Sequence, residues 1–226
     1  MTLQVGLPVA ASCLEIILLV LLFSQRTFRL LPVFFYYRIW CLGSGIASAA
    51  VVSFLPHDYA GFYLLNLTGD ALFQLAVLAE LWQVIVRHNR VRPPSRAIIG
   101  LLLLLALSLI LSIARWTVPG NMSGLLLLSA RLRQVFGVLQ FAALLALVWL
   151  TSFWGLRWPG RALQVATGLG FYFLVDLAVI VLHTHEAFGA QFLPLEELAS
   201  ASYVGVLAYW VFCFARTERD RQEAAE

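Results

Sequence analysis

Seven apolar runs, each long enough to cross a lipid bilayer, occupy most of the 226-residue chain. About 20 residues of helix cross the hydrocarbon core of a membrane. Backbone groups in lipid have no water to bond, so a spanning segment must be a helix or part of a closed barrel. Runs such as Ile98–Ile113 do not alternate between apolar and polar residues, and this excludes a barrel. The sequence therefore predicts an all-α membrane protein, a bundle of seven transmembrane helices.

The predicted spans follow the apolar runs and the turn signals between them. Hydrophobic residues make up 62% of the chain and charged residues 12%, a balance that a soluble domain could not bury. The spans are Leu3–Phe23, Val33–Leu55, Gly61–Val86, Ala97–Ala114, Gly124–Ser152, Ala162–His183 and Leu198–Ala215. Residues 1–215 are thus predicted to form one transmembrane domain, and residues 216–226 a short charged cytoplasmic tail.

All 15 basic residues are arginines, and their distribution among the loops predicts the orientation of the protein. Those that follow the first, third, fifth and seventh spans are Arg26, Arg29, Arg38, Arg87, Arg90, Arg92, Arg96, Arg157, Arg161, Arg216, Arg219 and Arg221. Only Arg115, Arg131 and Arg133 belong to the other side. The positive-inside rule then predicts an N-terminus outside and a C-terminus in the cytoplasm, in the inner (plasma) membrane. Because the arginines lie at helix ends and form no single patch, no nucleic-acid partner is expected.

Several cofactor chemistries conflict with the residues present. The spacing of Asp70 and Glu80 resembles the proton-relay pair of microbial rhodopsins, but the chain has no lysine to bind retinal as a Schiff base. The histidines are His57, His88, His183 and His185, and their positions do not provide the matched pair that haem requires or a zinc-ligand set. No catalytic motif is present. We expect no cofactor, no metal and no catalytic residue.

Small and aromatic residues predict where helices pack and where the membrane surface lies. The second span is rich in small residues, among them Gly43 and Gly45, and the sixth contains Ala162 and Ala166. Such residues are typical of close helix–helix seams in lipid. Aromatic residues at the inner end of the second span, Phe34, Phe35, Tyr36, Tyr37 and Trp40, are typical of an interfacial belt. The uniformly apolar fourth span is expected at the periphery of the bundle.

Polar residues recur at helical spacing on three spans, at matching depths. Asp70 lies about 15 Å from the outer end of the third span, at ~1.5 Å per residue. On the same basis Asp176 lies roughly 10 Å below the outer end of the sixth span, and Arg133 roughly 14 Å below that of the fifth. We expect a buried cluster in which Arg133 pairs with Asp70, Asp176 or both. The predicted cluster comprises Tyr63, Asn66, Asp70, Gln74, Arg133, Gln140, Tyr172 and Asp176.

Two further carboxylates lie within the spans. Glu80 is nearer the cytoplasmic end, where Arg38 or Arg87 is its expected partner. Glu15 is isolated at mid-depth in the first span, so it must find a partner or stay protonated. A charge in the membrane is costly, and each one calls for a structural or a functional reason. Two readings of the cluster remain open: an ion network that fixes helix register, and a pocket for a ligand or an ion.

Three short segments of the second half resemble a type of small seven-span bacterial membrane protein with no assigned activity. They are Ser129–Val135, Gly155–Trp158 and Gly168–Phe171. The whole chain is also remotely similar, in size and predicted orientation, to the seven-helix sensor modules that precede histidine kinases. Such modules continue into a kinase, whereas this chain stops at Glu226. The resemblance therefore implies that any signal would pass to a separate partner chain.

Three functions compete on this sequence. The first is a ligand-sensing or ligand-binding module with an outward-facing polar pocket, for which the ligand is unknown. The second is a small transporter or proton-coupled carrier that uses Asp70 and Asp176. The third is a non-catalytic accessory subunit whose polar cluster is structural and whose fourth span contacts another membrane chain. The lipid bilayer is the one partner that all three share.

Overall fold

The chain folds as a bundle of long helices, seen in a computed structural model that describes residues 2–55, 59–90, 124–184 and 192–223. The six helices of this part are all long and apolar enough to cross a membrane. They are α1 (Thr2–Ser24), α2 (Pro32–Phe54), α3 (Tyr59–Asn89), α4 (Leu125–Phe153), α5 (Gly160–Thr184) and α6 (Phe192–Glu223). Six of the predicted spans fall on these helices, and the fourth, Ala97–Ala114, lies outside the described residues.

Local sequence explains how the helices begin and end. A single turn of 3-10 helix, Thr27–Arg29, joins α1 to α2. Helix α2 starts at Pro32, whose fixed φ suits the first helical position and whose missing N–H leaves no donor unpaired there. Beyond α4 the backbone turns at Gly155, which has a φ of 59°, a conformation that glycine adopts without steric cost. The N–H of Leu156 then donates to the carbonyl of Thr151 over 2.8 Å.

The six helices form a closed ring. Each helix packs on the next along the chain, and α6 packs back on α1. We call the end of the ring where α1, α3, α4 and α6 begin the upper end. At the opposite, lower end, the Gln25 side-chain amide donates to the carbonyl of Phe214 over 2.7 Å, joining α1 to α6. The Asn89 amide likewise donates to the carbonyl of Arg157 over 2.8 Å, joining the end of α3 to the turn after α4.

The apolar core fills the lower half of this ring. Its fully buried side chains are Leu18, Leu22, Leu31, Phe34, Leu81, Ile85, Leu169, Leu207, Trp210 and Phe214. Gly168 permits the tightest contact, because a Cβ at that position would overlap the indole of Trp210. Burial of large apolar side chains on every inner face closes the lower half to water.

The small-residue and aromatic predictions hold for some helices and fail for others. On α5, Ala162 and Ala166 are buried in the core as expected. On α2, by contrast, Gly43 and Gly45 are exposed and nothing lies within 4 Å of a Cβ built on them, so the predicted seam is wrong there for contacts among described residues. Phe34 is fully buried, and its assignment to the interfacial belt is also wrong.

Candidate functional site

Two adjoining cavities open between the helices in the upper half of the ring. Their volumes are about 380 Å³ and about 250 Å³. Both are lined by Asn66, Asp70, Gln74, Arg133, Tyr172 and Asp176, so they are two lobes of one space, which we call the polar cavity. A space of this combined size is in the range of pockets that hold small molecules.

Every side chain that the sequence grouped into a cluster lines the smaller lobe. Helix α3 contributes Tyr63, Asn66, Asp70 and Gln74, helix α4 contributes Arg133 and Gln140, and helix α5 contributes Tyr172 and Asp176. The four positions on α3 are three or four residues apart, and a helix presents such residues on one face. Periodicity and depth together therefore locate this wall of the cavity from sequence.

Arg133 pairs with Asp176, one of its two expected partners. The distance from Arg133 Nη2 to Asp176 Oδ1 is 3.1 Å. Helices α4 and α5 approach closely beside this pair, where a Cβ on Gly137 would lie 2.9 Å from Ile180 and 3.7 Å from an Asp176 oxygen. The pair is partly open to the cavity, because the Arg133 side chain retains 39% of its exposure.

Asp70 has a different partner from the one expected. Its Oδ1 accepts a hydrogen bond from the indole N–H of Trp40 on α2, at 2.8 Å. Gly69 makes room for that indole, since a Cβ there would lie 3.0 Å from Trp40 Cε2. The two described ion pairs between side chains involve other carboxylates. Asp70 therefore lines the polar cavity without an ion-pair partner among the described residues.

Two side-chain amides on α3 leave carbonyl oxygens without a described donor. Gln74 donates through Nε2 to the hydroxyl of Tyr37 over 2.7 Å, but its Oε1 is buried with no partner, as is Oδ1 of Asn66. A buried acceptor without a donor costs about 1–3 kcal/mol. Both residues line both lobes of the cavity, so the two buried oxygens belong to its wall.

A second ion pair lies below the cavity and joins three helices. Arg38 on α2 approaches Glu15 on α1 with an Nη1–Oε1 distance of 3.1 Å, and the Tyr203 hydroxyl on α6 donates to the same oxygen. The guanidinium lies 4.2 Å from the ring centroid of Tyr37 and 5.0 Å from that of Trp210. Of the two alternatives expected for Glu15, a partner or protonation, the structure shows a partner. Arg38, counted among the charges that follow the first span, is a buried residue of α2.

Glu80 binds backbone instead of an arginine, contrary to expectation. Its two carboxylate oxygens accept from the N–H groups of Val33 and Phe34, at 2.8 Å and 2.9 Å. These groups belong to the first turn of α2, where backbone N–H groups have no partner within the helix. The partial positive charge of a helix N-terminus favours a carboxylate there, so Glu80 has a structural role.

The α2 and α6 walls of the cavity were absent from the predicted cluster. Tyr37, Cys41 and Ser44 line the larger lobe from α2, and Tyr203 lines it from α6. The α2 residues recur at intervals of four and three, and this helical stripe is a signal that the sequence carries. Tyr203 belongs to no polar stripe of this kind, because the cavity residues next to it on α6 are mostly small or apolar: Ala199, Ser200 and Val204.

The cavity thus presents two carboxylates, one guanidinium, unpaired amide oxygens and phenol rings, which suits a polar ligand. Among the described residues, no group of three or more histidine, cysteine, aspartate or glutamate side chains is arranged to hold a metal ion. None of the three cysteines forms a disulfide. No family model, no curated protein and no solved structure matches this chain.

Proposed function

We propose that this protein is a seven-span, multi-pass protein of the plasma membrane whose polar cavity binds a small ligand from outside the cell, as a sensor does. One observation carries the proposal. The upper half of the ring holds a cavity of about 380 Å³ and its adjoining lobe, whereas the lower half is filled by buried apolar side chains. Such a molecule admits a ligand from one side only, which is what a receptor requires and a channel does not.

Connectivity and charge support the span count and the orientation. Helix α3 ends at the lower end of the ring and α4 begins at the upper end, and this arrangement supports a seventh crossing in the proposal. The intervening sequence contains the predicted span Ala97–Ala114, which is long enough for this. Of the exposed arginines among the described residues, Arg131 belongs to the upper end, and six belong to the lower end: Arg26, Arg29, Arg87, Arg90, Arg157 and Arg216. The positive-inside rule therefore favours a cytoplasmic lower end and a cavity that opens outward.

The partner and the family are part of the same proposal. The resemblance to small seven-span bacterial proteins, and more remotely to sensor modules of histidine kinases, favours signalling over catalysis. The output would pass to a separate membrane or signalling chain. The described part of the cavity contains the acid and base groups named above and no further catalytic grouping. We assign no reaction to the cavity.

Cysteine labelling tests the proposal with a matched pair of neighbouring positions. Ser44 lines the cavity, whereas Gly43 is exposed on the outer face of the same helix, where lipid is expected. In a background where the native cysteines are replaced by serine, a membrane-impermeant thiol reagent is added to intact cells. Ser44→Cys should be modified and Gly43→Cys should not, because the charged reagent reaches a water-filled cavity but does not enter lipid.

The labelling result has two contrary outcomes. Modification of Ser44→Cys in inside-out vesicles, but not in intact cells, would show that the cavity opens to the cytoplasm and would reverse the orientation. Equal protection of both cysteines from either side would show that the cavity is closed to water, and the sensor proposal would then fail.

A carrier is the second candidate, and one observation favours it. Polar groups continue below the cavity, since Gln74 bonds the Tyr37 hydroxyl and the Tyr37 ring contacts the buried Arg38. In a carrier this path would open to the lower end during each cycle. Ser44→Cys would then be modified from both sides of the membrane, and the purified protein in vesicles would move solute or protons, neither of which the sensor proposal predicts.

A further inference from the structure

The charged groups of the polar cavity do not balance. Asp70, Asp176 and Arg133 line both lobes. Arg133 is engaged by Asp176, whereas the described partner of Asp70 is the neutral indole of Trp40. With all three groups ionised, the cavity carries one negative charge in excess. The excess negative charge would repel an anion, and the one guanidinium that could bind an anion, that of Arg133, is already paired with Asp176. A cation would compensate the excess charge.

Unpaired acceptors flank the surplus carboxylate. Asn66, Asp70 and Gln74 are four residues apart on α3 and share one face of that helix. The amide oxygens above and below Asp70, Asn66 Oδ1 and Gln74 Oε1, have no described donor, and Gln74 is only 5% exposed. The row therefore brings one carboxylate and two buried amide oxygens that lack a described donor to one wall of the cavity.

Aromatic rings also line the cavity, one of them in contact with this row through the bond from Gln74 to Tyr37. Tyr37, Tyr172 and Tyr203 line the larger lobe, and Tyr172 meets Tyr203 edge to face with centroids 5.9 Å apart. Phenol faces attract cations, as the contact of Arg38 with the Tyr37 ring illustrates within the same molecule. An organic cation gains from the carboxylate, the amides and the rings together.

We propose that the ligand of the polar cavity is a primary organic ammonium, and that its nitrogen binds at Asp70 between the carbonyl oxygens of Asn66 and Gln74. The three N–H donors of an ammonium match the three acceptor groups on α3, and its carbon skeleton occupies the larger lobe beside the tyrosines. This inference rests on the proposed ligand-binding function and names its substrate class.

Thermal unfolding of the purified full chain, with three probes of matched size, tests the ligand class. The probes are phenethylammonium, phenylacetate and phenethyl alcohol, at equal ionic strength and pH. Phenethylammonium alone should raise the melting temperature in a saturable manner, because a ligand that binds only the folded state stabilises it by mass action. The same melting measurement with added sodium chloride detects a site for an inorganic cation.

Variants of the α3 row locate the site. Asp70→Asn should weaken the effect of phenethylammonium about tenfold or more, the equivalent of losing one charged hydrogen bond. Asn66→Asp adds a carboxylate without removing a described bond, so it should strengthen the stabilisation by phenethylammonium. Asn66→Leu should weaken that stabilisation. Thr68→Val is the matched control, because Thr68 lies on the same helix with its hydroxyl bonded to the carbonyl of Leu64.

Each other outcome overturns the inference. Stabilisation by phenylacetate, by the alcohol or by sodium alone would assign a different ligand class and leave the ligand-binding function standing. No response to any probe, or an unchanged response in both Asp70→Asn and Asn66→Asp, would remove the ammonium site. Failure of the proposed function itself is seen separately, as protection of Ser44→Cys from the aqueous reagent.

Discussion

Two ion pairs in the described part of the chain have equal lengths and unequal surroundings. Arg38–Glu15 and Arg133–Asp176 both have an N–O distance of 3.1 Å. The exposed fractions of the two side chains are 1% and 3% in the lower pair, but 39% and 15% in the upper pair. Distance alone would rank these pairs as equivalent, whereas burial separates a pair sealed in the core from one that borders a cavity.

Burial decides what each pair contributes. Ion pairs in contact with water stabilise a protein by about 0–1 kcal/mol, because water screens and competes for both charges. Loss of one partner from a sealed pair typically costs about 3–5 kcal/mol, since the other charge is left without solvent or counterion. The lower pair therefore fixes the packing of α1, α2 and α6, and the upper pair leaves its groups available to a ligand.

Arg38→Met gives the largest expected loss. The substitution removes the cation beside Glu15 and its contacts with the rings of Tyr37 and Trp210. We expect the free energy of unfolding in detergent to fall by about 3–5 kcal/mol. The measurement is denaturant unfolding followed by tryptophan fluorescence.

The double variant Arg38→Met with Glu15→Leu is the matched control. It removes both charges and leaves apolar groups of similar size, a replacement that is often near neutral in other proteins. It should therefore be more stable than Arg38→Met alone. A double variant less stable than either single variant would mean that the two residues stabilise the protein largely through separate contacts and not through the ion pair.

Sequence predicted the helices and the α3 wall of the cavity because both depend on one helix at a time. An apolar run of bilayer length must be a helix in lipid, and a stripe such as Asn66, Asp70 and Gln74 shares a face whatever its neighbours are. Partners depend on how helices are rotated against one another. The pairing of Glu80 with the start of α2, and of Arg38 with Glu15, follows from that rotation and leaves no periodic signal in the chain.

The packing prediction for α2 failed for the same reason. Glycines permit close approach, but they do not specify which helix approaches: Gly43 is exposed on the outer face of α2, and Gly45 lines the larger lobe of the cavity. Arg133 was expected in a buried cluster, and beside the cavity 39% of its side chain is exposed. Cavities arise where several helices fail to meet, and this property belongs to no single segment of sequence.

Glu80→Gln should have an intermediate effect, because Glu80 is 7% exposed and is bonded to backbone instead of to a cation. A glutamine has one carbonyl oxygen, so it can no longer present a carboxylate oxygen to each of the Val33 and Phe34 N–H groups. We expect a loss of about 1.5–3 kcal/mol, the usual range for a hydrogen bond to a charged group. Unfolding by denaturant measures this loss. A loss as large as that of Arg38→Met would mean that Glu80 is as important to stability as the buried Arg38–Glu15 pair.

The smallest effect is expected at the upper pair, where Arg133→Met and Asp176→Asn form a double-mutant cycle. Because Arg133 is partly exposed to the cavity, the coupling energy should be below about 1 kcal/mol and should decrease when salt is added. Unfolding of the wild type, both single variants and the double variant gives this energy directly. The same cycle at Glu15 and Arg38 should give a larger coupling that salt leaves nearly unchanged. Equal, salt-independent coupling at the two sites would mean that the upper cavity is dry, and the contrast between a sealed pair and an accessible one would then be lost.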